Sequence, residues 1–300
     1  MLTKKDVMNF VRSNKGFFLL LAIIYGTACN KQKTVTAVLP TSDNITMLNV
    51  AYGTDPQQIM DIYLPAGRTA DTTKVVLLIH GGGWIEGDKT DYDIPGFRSL
   101  FPTYAIFNIN YRLGNETTKV NPFPAQEQDI KAAVQFIYDH RAAYSISENW
   151  CYLGGSAGGH LALLQAYKYT TPIRPKIVVD YYGPTDLVDL YNYNATSAFF
   201  QPLIYFMLGG TPASNPSMYT SSSPMTYVNA SCPKTIILQG ALDSTVPYME
   251  SQRLHDTLTT LGVTNKYVLY PNQGHGFTGA DALDSYYQID TFMMANMPNH

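Results

Sequence analysis

Six short, largely apolar runs recur along the chain, and stretches with helical periodicity lie between several of them. Runs without regular polar alternation are typical of strands that are buried on both faces of a parallel sheet. The six runs are Lys74–His80, Tyr104–Ile109, Asn149–Leu153, Lys176–Tyr182, Thr235–Gln239 and Lys266–Tyr270. Because strands alternate with helices, we predict a parallel sheet that is covered on both faces.

Two earlier segments, Ile45–Tyr52 and Ile59–Leu64, alternate apolar and polar residues on either side of a Gly-Thr-Asp-Pro turn. This alternation predicts an antiparallel hairpin at the edge of the sheet. The predicted helices are Ala125–Arg141, Leu161–Tyr169, Tyr248–Leu261 and Ala280–Met297. The predicted fold class is therefore α/β, with a mostly parallel, twisted sheet of about eight strands and helices on both faces.

Composition and charge limit the number of domains and the kinds of partner. With 300 residues, of which 45% are hydrophobic, the chain can form one domain of about 250 residues behind an N-terminal leader. The net charge is −3 and only 14% of the residues are charged. Since this composition gives no basic stripe, nucleic acid is not an expected partner.

The N-terminal segment has the layout of a secretory signal. A basic head over residues 1–15 precedes an apolar run of roughly a dozen residues, which is shorter than the roughly 20 residues of a membrane-spanning helix. The small residues before Cys29 resemble the lipobox of a bacterial lipoprotein, although Gly26 stands where that pattern prefers an aliphatic residue.

We predict a signal peptide over residues 1–29, acylation of Cys29, a tether over residues 30–44 and a folded domain over residues 45–300. The protein is then exported and lipid-anchored to a bacterial membrane, on its periplasmic or cell-surface side. Ordinary cleavage that leaves Cys29 unmodified and a retained transmembrane anchor are the alternatives.

The stretch with the most specific chemistry is Gly154–His160, which follows one apolar run and opens a predicted helix. It contains the pattern G-x-S-x-G around Ser156. A serine on a sharp strand-to-helix turn needs small neighbours, because the chain and the adjoining elements come close together there. We therefore interpret Ser156 as a nucleophile at the start of a helix, where unpaired N–H groups face a developing negative charge.

A nucleophilic serine needs a base and an acid that orients the base. Asp243 follows one predicted strand and is the candidate acid, whereas Asp186, which follows the preceding strand, is the rival. His275 follows the last predicted strand between two glycines and is the candidate base. The order Ser156, Asp243, His275 is that of α/β-hydrolases.

Donors for the oxyanion are expected in the glycine-rich stretch His80–Trp84, directly after the first buried run. Three successive glycines allow backbone N–H groups to approach a ligand closely. We assign the donors to Gly82, Gly83 and Ala157.

These motifs together resemble the esterase/lipase branch of the α/β-hydrolase fold, in particular secreted bacterial feruloyl and acetyl esterases and the hormone-sensitive-lipase group. The resemblance covers residues 45–298, and the following segments carry it: Asp61–Pro65, His80–Trp84 with Gly87–Lys89, Asn110–Leu113, Gly154–His160, Asp243 with Val246–Pro247, and Gly274–Phe277. The resemblance implies a carboxylic ester hydrolase that works through an acyl-enzyme without a metal or an organic cofactor.

Two expectations depend on this assignment. Because His275 must be neutral to accept a proton, activity is expected to fall below roughly pH 6 to 6.5. Cys151 and Cys232 each begin a strand, and in this fold a third strand lies between the two. Their backbones are then about 9 to 10 Å apart, beyond the roughly 7 Å limit of a disulfide, so we expect two buried free thiols.

The substrate pocket is the least specified part of the sequence. Residues 184–231 form a long insertion that is rich in aromatic residues and is expected to overhang Ser156 as a lid or pocket wall, and the pocket residues are assigned to Trp84, Tyr182 and Asp186. Without a large N-terminal cap, a small-molecule or glycan ester with a short acyl group is favoured. A serine exopeptidase of the same fold and a non-catalytic carbohydrate-binding lipoprotein are the alternatives.

Overall fold

The computed structural model describes residues 37–194 and 197–297. Their sheet contains eight strands, namely β1 (Ile45–Ala51), β2 (Ile59–Leu64), β3 (Val75–Ile79), β4 (Ala105–Ile109), β5 (Trp150–Gly155), β6 (Ile177–Tyr181), β7 (Lys234–Gly240) and β8 (Asn265–Tyr270). The strand order is β1-β2-β4-β3-β5-β6-β7-β8. The β1–β2 and β2–β4 pairs are antiparallel and the others are parallel, which confirms the predicted fold class.

Helices cover both faces of this sheet. Within the described residues they are α1 (Ile94–Leu100), α2 (Ala125–Asp139), α3 (Arg141–Tyr144), α4 (Ala157–Lys168), α5 (Leu187–Tyr193), α6 (Phe200–Leu208), α7 (Pro216–Ser222), α8 (Tyr248–Thr260) and α9 (Gly279–Asn296). The sequence did not predict α1, α3 or the three helices of the insertion, α5 to α7.

The unbroken apolar runs are explained by two cores, one on each side of the sheet. In β3, Val75, Leu77 and Ile79 belong to the core beneath α2, α4 and α8. The alternate residues Val76 and Leu78 belong to the core beneath α1 and α9. Since neither face of the strand meets water, every position favours an apolar side chain.

The end of the expected tether lies against the domain. Leu39 donates its N–H to the carbonyl of Ala143 at 2.9 Å. Arg68 is only 3% exposed, and its side chain donates to the carbonyls of Leu39, Pro40 and Asp43. Residues 39–43 are therefore bound to the domain, whereas the sequence predicted a tether there. The buried side chain of Arg68 holds this segment, which has no periodicity of its own.

The cysteine prediction is confirmed for the two cysteines of the domain, since Cys151 and Cys232 are both buried and free. Cys29 and the predicted signal segment lie outside the described residues. Among the residues that the structure describes, no helix has the length and apolar character needed to cross a membrane.

Candidate active site

Ser156 occupies a strained turn between β5 and α4. Its φ is 54° and its ψ is −123°, values that L-residues rarely adopt outside functional sites. A Cβ atom on Gly158 would lie 2.0 Å from the carbonyl oxygen of Ile79, and one on Gly154 would lie 2.3 Å from the backbone of Gly158. Both glycines of the G-x-S-x-G pattern are therefore required by backbone contact.

The structure brings Ser156, His275 and Asp243 together at the carboxyl ends of β5, β8 and β7. The Ser156 Oγ lies 2.8 Å from His275 Nε2, and His275 Nδ1 lies 2.8 Å from Asp243 Oδ2. An ionised carboxylate only accepts hydrogen bonds, so Nδ1 carries the imidazole proton and Nε2 accepts from the serine hydroxyl. This arrangement can remove a proton from Ser156.

The Asp243 carboxylate is almost completely buried and is surrounded by donors. Its Oδ1 accepts from the N–H groups of Thr245 at 2.8 Å and Val246 at 2.9 Å. Its Oδ2 accepts from Gln239 Nε2 at 3.1 Å as well as from His275. Gln239 was not predicted as a site residue, although a glutamine at the end of the apolar run Thr235–Gln239 could have indicated a polar role there.

Gly83 and Ala157 line a small pocket together with Ser156, and Gly82 precedes Gly83 in the same loop. Among residues 37–194 and 197–297, none of the backbone N–H groups of these three residues has a hydrogen-bond acceptor. Gly82 and Gly83 have φ values of 100° and 57° and line a cavity together with Ser156. Unpaired N–H groups beside a nucleophile can stabilise an oxyanion.

Tyr111 and His80 support the glycine-rich stretch His80–Trp84. The Tyr111 hydroxyl donates to the carbonyls of His80 at 3.0 Å and Gly81 at 3.2 Å. The two rings stack with their centroids 4.3 Å apart. Burial lowers the pKa of His80, which favours its neutral imidazole. Tyr111 is a second residue that sequence reasoning did not assign to the site.

Of the three predicted pocket residues, the structure brings only Tyr182 to the cavity. Its ring centroid lies 4.7 Å from that of His275, and burial raises the pKa of its hydroxyl to about 12. Trp84 does not line this cavity but lines a smaller neighbouring pocket together with Ser156, and its Nε1 donates to His160 Nδ1 at 3.2 Å. Asp186 is also absent from the cavity wall, and its carboxylate instead caps α5 by accepting from Val188 N and Asp189 N.

The cavity above Ser156 has a volume of about 500 Å³. The insertion contributes Phe199, Phe200 and Leu203 to its wall, and α9 contributes Ala282, Ser285 and Tyr286. Two carboxylate residues, Glu86 and Asp91, also line it, whereas no described lysine or arginine does. No group of three or more potential metal ligands occurs among the described residues.

The eight-stranded sheet and the position of Ser156 define an α/β-hydrolase. Within that class the chain belongs to the BD-FAE family, whose sequence model matches residues 60–258.

Several known proteins resemble this chain in sequence or in structure. Esterase LipQ of Mycobacterium tuberculosis is 27% identical over 247 residues, which cover 76% of this chain and 56% of LipQ. Dipeptidyl aminopeptidase BIII of Pseudoxanthomonas mexicana is 27% identical over 235 residues, which cover 72% of this chain and 33% of that protein. A solved structure described as bifunctional GH43-CE from Bacteroides eggerthii superposes with a TM-score of 0.72 and 27% identity, covering 84% of this chain and 35% of that one. This chain therefore spans about half of LipQ and about a third of the other two proteins.

Proposed function

We propose that the protein is a serine carboxylic ester hydrolase that works through an acyl-enzyme. The observation that carries this proposal is the continuous hydrogen-bonded chain from Ser156 through His275 to Asp243, with both distances at 2.8 Å. The unpaired N–H groups beside the serine and the likeness to named esterases support it.

In the proposed reaction His275 Nε2 takes the hydroxyl proton while Ser156 Oγ attacks the ester carbonyl. The resulting oxyanion accepts hydrogen bonds from the N–H groups of Gly82, Gly83 and Ala157. Collapse of the intermediate breaks the bond to the alcohol, which leaves with the proton from His275. Water then attacks the acyl-enzyme in the same way and releases the carboxylic acid and the free serine.

We propose short-acyl or carbohydrate-linked esters, of the acetyl or feruloyl type, as the substrate class. The cavity of about 500 Å³ accommodates a small ester, and its aromatic wall suits sugar or aryl rings. The likeness to the bifunctional GH43-CE protein supports a carbohydrate ester.

The test is hydrolysis of an aryl acetate by the full chain and by its Ser156→Ala variant. We expect turnover in the parent and a loss of about 10⁴-fold or more in the variant. Circular dichroism and thermal unfolding should show that both proteins are folded. Equal activity in the two proteins would eliminate Ser156 as the nucleophile.

A serine exopeptidase is the second candidate, because Glu86 and Asp91 line the cavity and a carboxylate can bind the free amine of a peptide. The likeness to dipeptidyl aminopeptidase BIII points in the same direction. Dipeptide anilides with free and with acetylated amines separate the two functions. Our proposal expects aryl acetates to be cleaved in preference to both, whereas cleavage of the free-amine anilide alone would favour the peptidase.

We also propose that the protein is exported and anchored to the membrane by acylation of Cys29. The order of a basic head, an apolar run and small residues before this cysteine supports the proposal. Mass spectrometry of the N-terminal peptide from the producing cells tests it. An acylated Cys29 as the first residue is expected, and an unmodified peptide that begins elsewhere would refute lipidation.

A further inference from the structure

Gln239 has a fully buried side chain that contacts the acid of the proposed triad. It lies at the penultimate position of β7, four residues before Asp243. Its Nε2 is 3.1 Å from Asp243 Oδ2, the same carboxylate oxygen that faces His275 Nδ1. The amide and the imidazole therefore share one acceptor atom.

The orientation of this amide is determined by its surroundings. Three oxygens surround Nε2, because it also lies 3.2 Å from the carbonyls of Gly240 and Val246. A reversed amide would direct its own oxygen at these three acceptors, which would repel it. On the other side, Gln239 Oε1 accepts from Ser251 Oγ at 2.8 Å. All the polar atoms of the side chain are thus used, and the amide is held in one orientation.

We infer that Gln239 is a positioning residue, which holds Asp243 Oδ2 in line with His275 Nδ1 and is itself held by Ser251. The inference rests on the proposed function, since it gives Asp243 the role of the acid. The two N–H groups that bind Oδ1 come from the loop that carries Asp243 itself, so they move with it. Gln239 belongs to the sheet and ties the carboxylate to a rigid element.

This arrangement predicts a specific loss when the amide is removed. Gln239→Met keeps an unbranched side chain of similar volume but cannot donate to Asp243. Because the acid is then free to turn away from His275, kcat for an aryl acetate should fall by about tenfold to a hundredfold per folded molecule, whereas KM stays within about threefold. Ser251→Ala removes only the support of the amide and should give a smaller loss of kcat.

A matched control separates positioning from general destabilisation. Gln126 is also fully buried, and its Nε2 donates to the carbonyls of Arg112 and Asn121, away from the triad. Gln126→Met should therefore lower the thermal midpoint without changing kcat per folded molecule. The folded fraction of each protein is measured by circular dichroism at the assay temperature.

A spectroscopic measurement gives an independent readout. The proton on His275 Nδ1 lies between a ring nitrogen and a carboxylate, so it should resonate far downfield in the proton NMR spectrum of the parent protein. We expect this signal to shift or broaden in Gln239→Met and to stay in place in Gln126→Met.

Unchanged kcat in Gln239→Met would overturn the inference, and so would reduced kcat with an unmoved downfield signal. A folded parent that hydrolyses no ester would instead refute the proposed function, and the NMR comparison would still test the contact between Gln239 and Asp243.

Discussion

At the scale of single residues, the site depends on buried side chains that hold the proposed catalytic groups in place without taking part in the reaction. Among the described residues Tyr111 makes no hydrogen bond to Ser156 or His275, yet its hydroxyl donates to two carbonyls of the segment that leads into Gly82 and Gly83. The direction of an N–H group follows from the peptide units before it. Tyr111 therefore fixes the loop that carries two of the proposed oxyanion donors.

Tyr111→Phe should lower kcat for an aryl acetate by about tenfold, which is less than the ~10²-fold or greater loss expected when a donor is removed outright. It should also cost about 1 kcal/mol of unfolding free energy. Steady-state kinetics and denaturant unfolding measure the two effects. Tyr167→Phe is the control, because it removes a buried hydroxyl that bonds Thr235 away from the site. Equal kcat values in the two variants would contradict a role for Tyr111 in the loop.

The sequence was sufficient to predict that Ser156, Asp243 and His275 meet, because each lies shortly after an apolar strand. It was not sufficient for Gln239 or Tyr111, nor for the direction of the Trp84 side chain. Their roles depend on which way a side chain points across neighbouring elements, and the order of residues along the chain does not determine that. Trp84 has a φ of 64°, and its indole packs edge-on against His160 within the core.

At the scale of secondary structure, the strands buried on both faces were predictable, whereas the helices of the insertion were not. Strands such as β3 have no polar alternation because they contact two cores. The helices α1 and α7 each have a proline at one of their first two positions, where its fixed φ suits a helix, but in a sequence a proline equally indicates a loop. The insertion is held by distant contacts, such as the 2.7 Å bond from His160 Nε2 to the carbonyl of Ser222.

A prediction at this scale tests whether Asp186 caps α5 or acts as the catalytic acid. Asp186→Ala removes the acceptor of the Val188 and Asp189 N–H groups, so it should lower the unfolding free energy by about 1 kcal/mol. Activity per folded molecule should stay near that of the parent, since the Asp186 side chain does not reach the cavity. Asp243→Ala, assayed beside it, should abolish turnover. A comparable loss of activity in Asp186→Ala would restore it as the rival acid.

At the scale of the whole molecule, buried titratable groups make stability depend on pH in opposite directions. Burial raises the pKa of Glu250 to about 7, whereas burial lowers the pKa of His160 to about 4. The folded protein therefore keeps the Glu250 proton where the unfolded chain releases it, and this contribution to stability is lost as pH rises from about 4.5 to 7. The contribution of neutral His160 is lost as pH falls from 6.5 toward 4.

Glu250→Gln isolates the first of these effects. The amide oxygen can still accept from the N–H groups of Thr185 and Asp186, but it does not titrate. The unfolding free energy of the parent, relative to that of the variant, should fall by on the order of 2 to 3 kcal/mol between pH 5 and pH 8. Urea unfolding at several pH values measures this difference. Parallel stability profiles for the two proteins would mean that Glu250 titrates as an exposed carboxylate does.

Residues 39–43 contact the domain near the amino end of β5, away from Ser156. Leu39 bonds Ala143, in the segment that leads into the amino end of β5, whereas Ser156 lies just beyond the carboxyl end of that strand. The attachment of Leu39 is thus separated from Ser156 by about the length of β5, roughly 20 Å. The contacts of residues 39–43 are therefore separate from the proposed chemistry, so that mutation can change either set without touching the other.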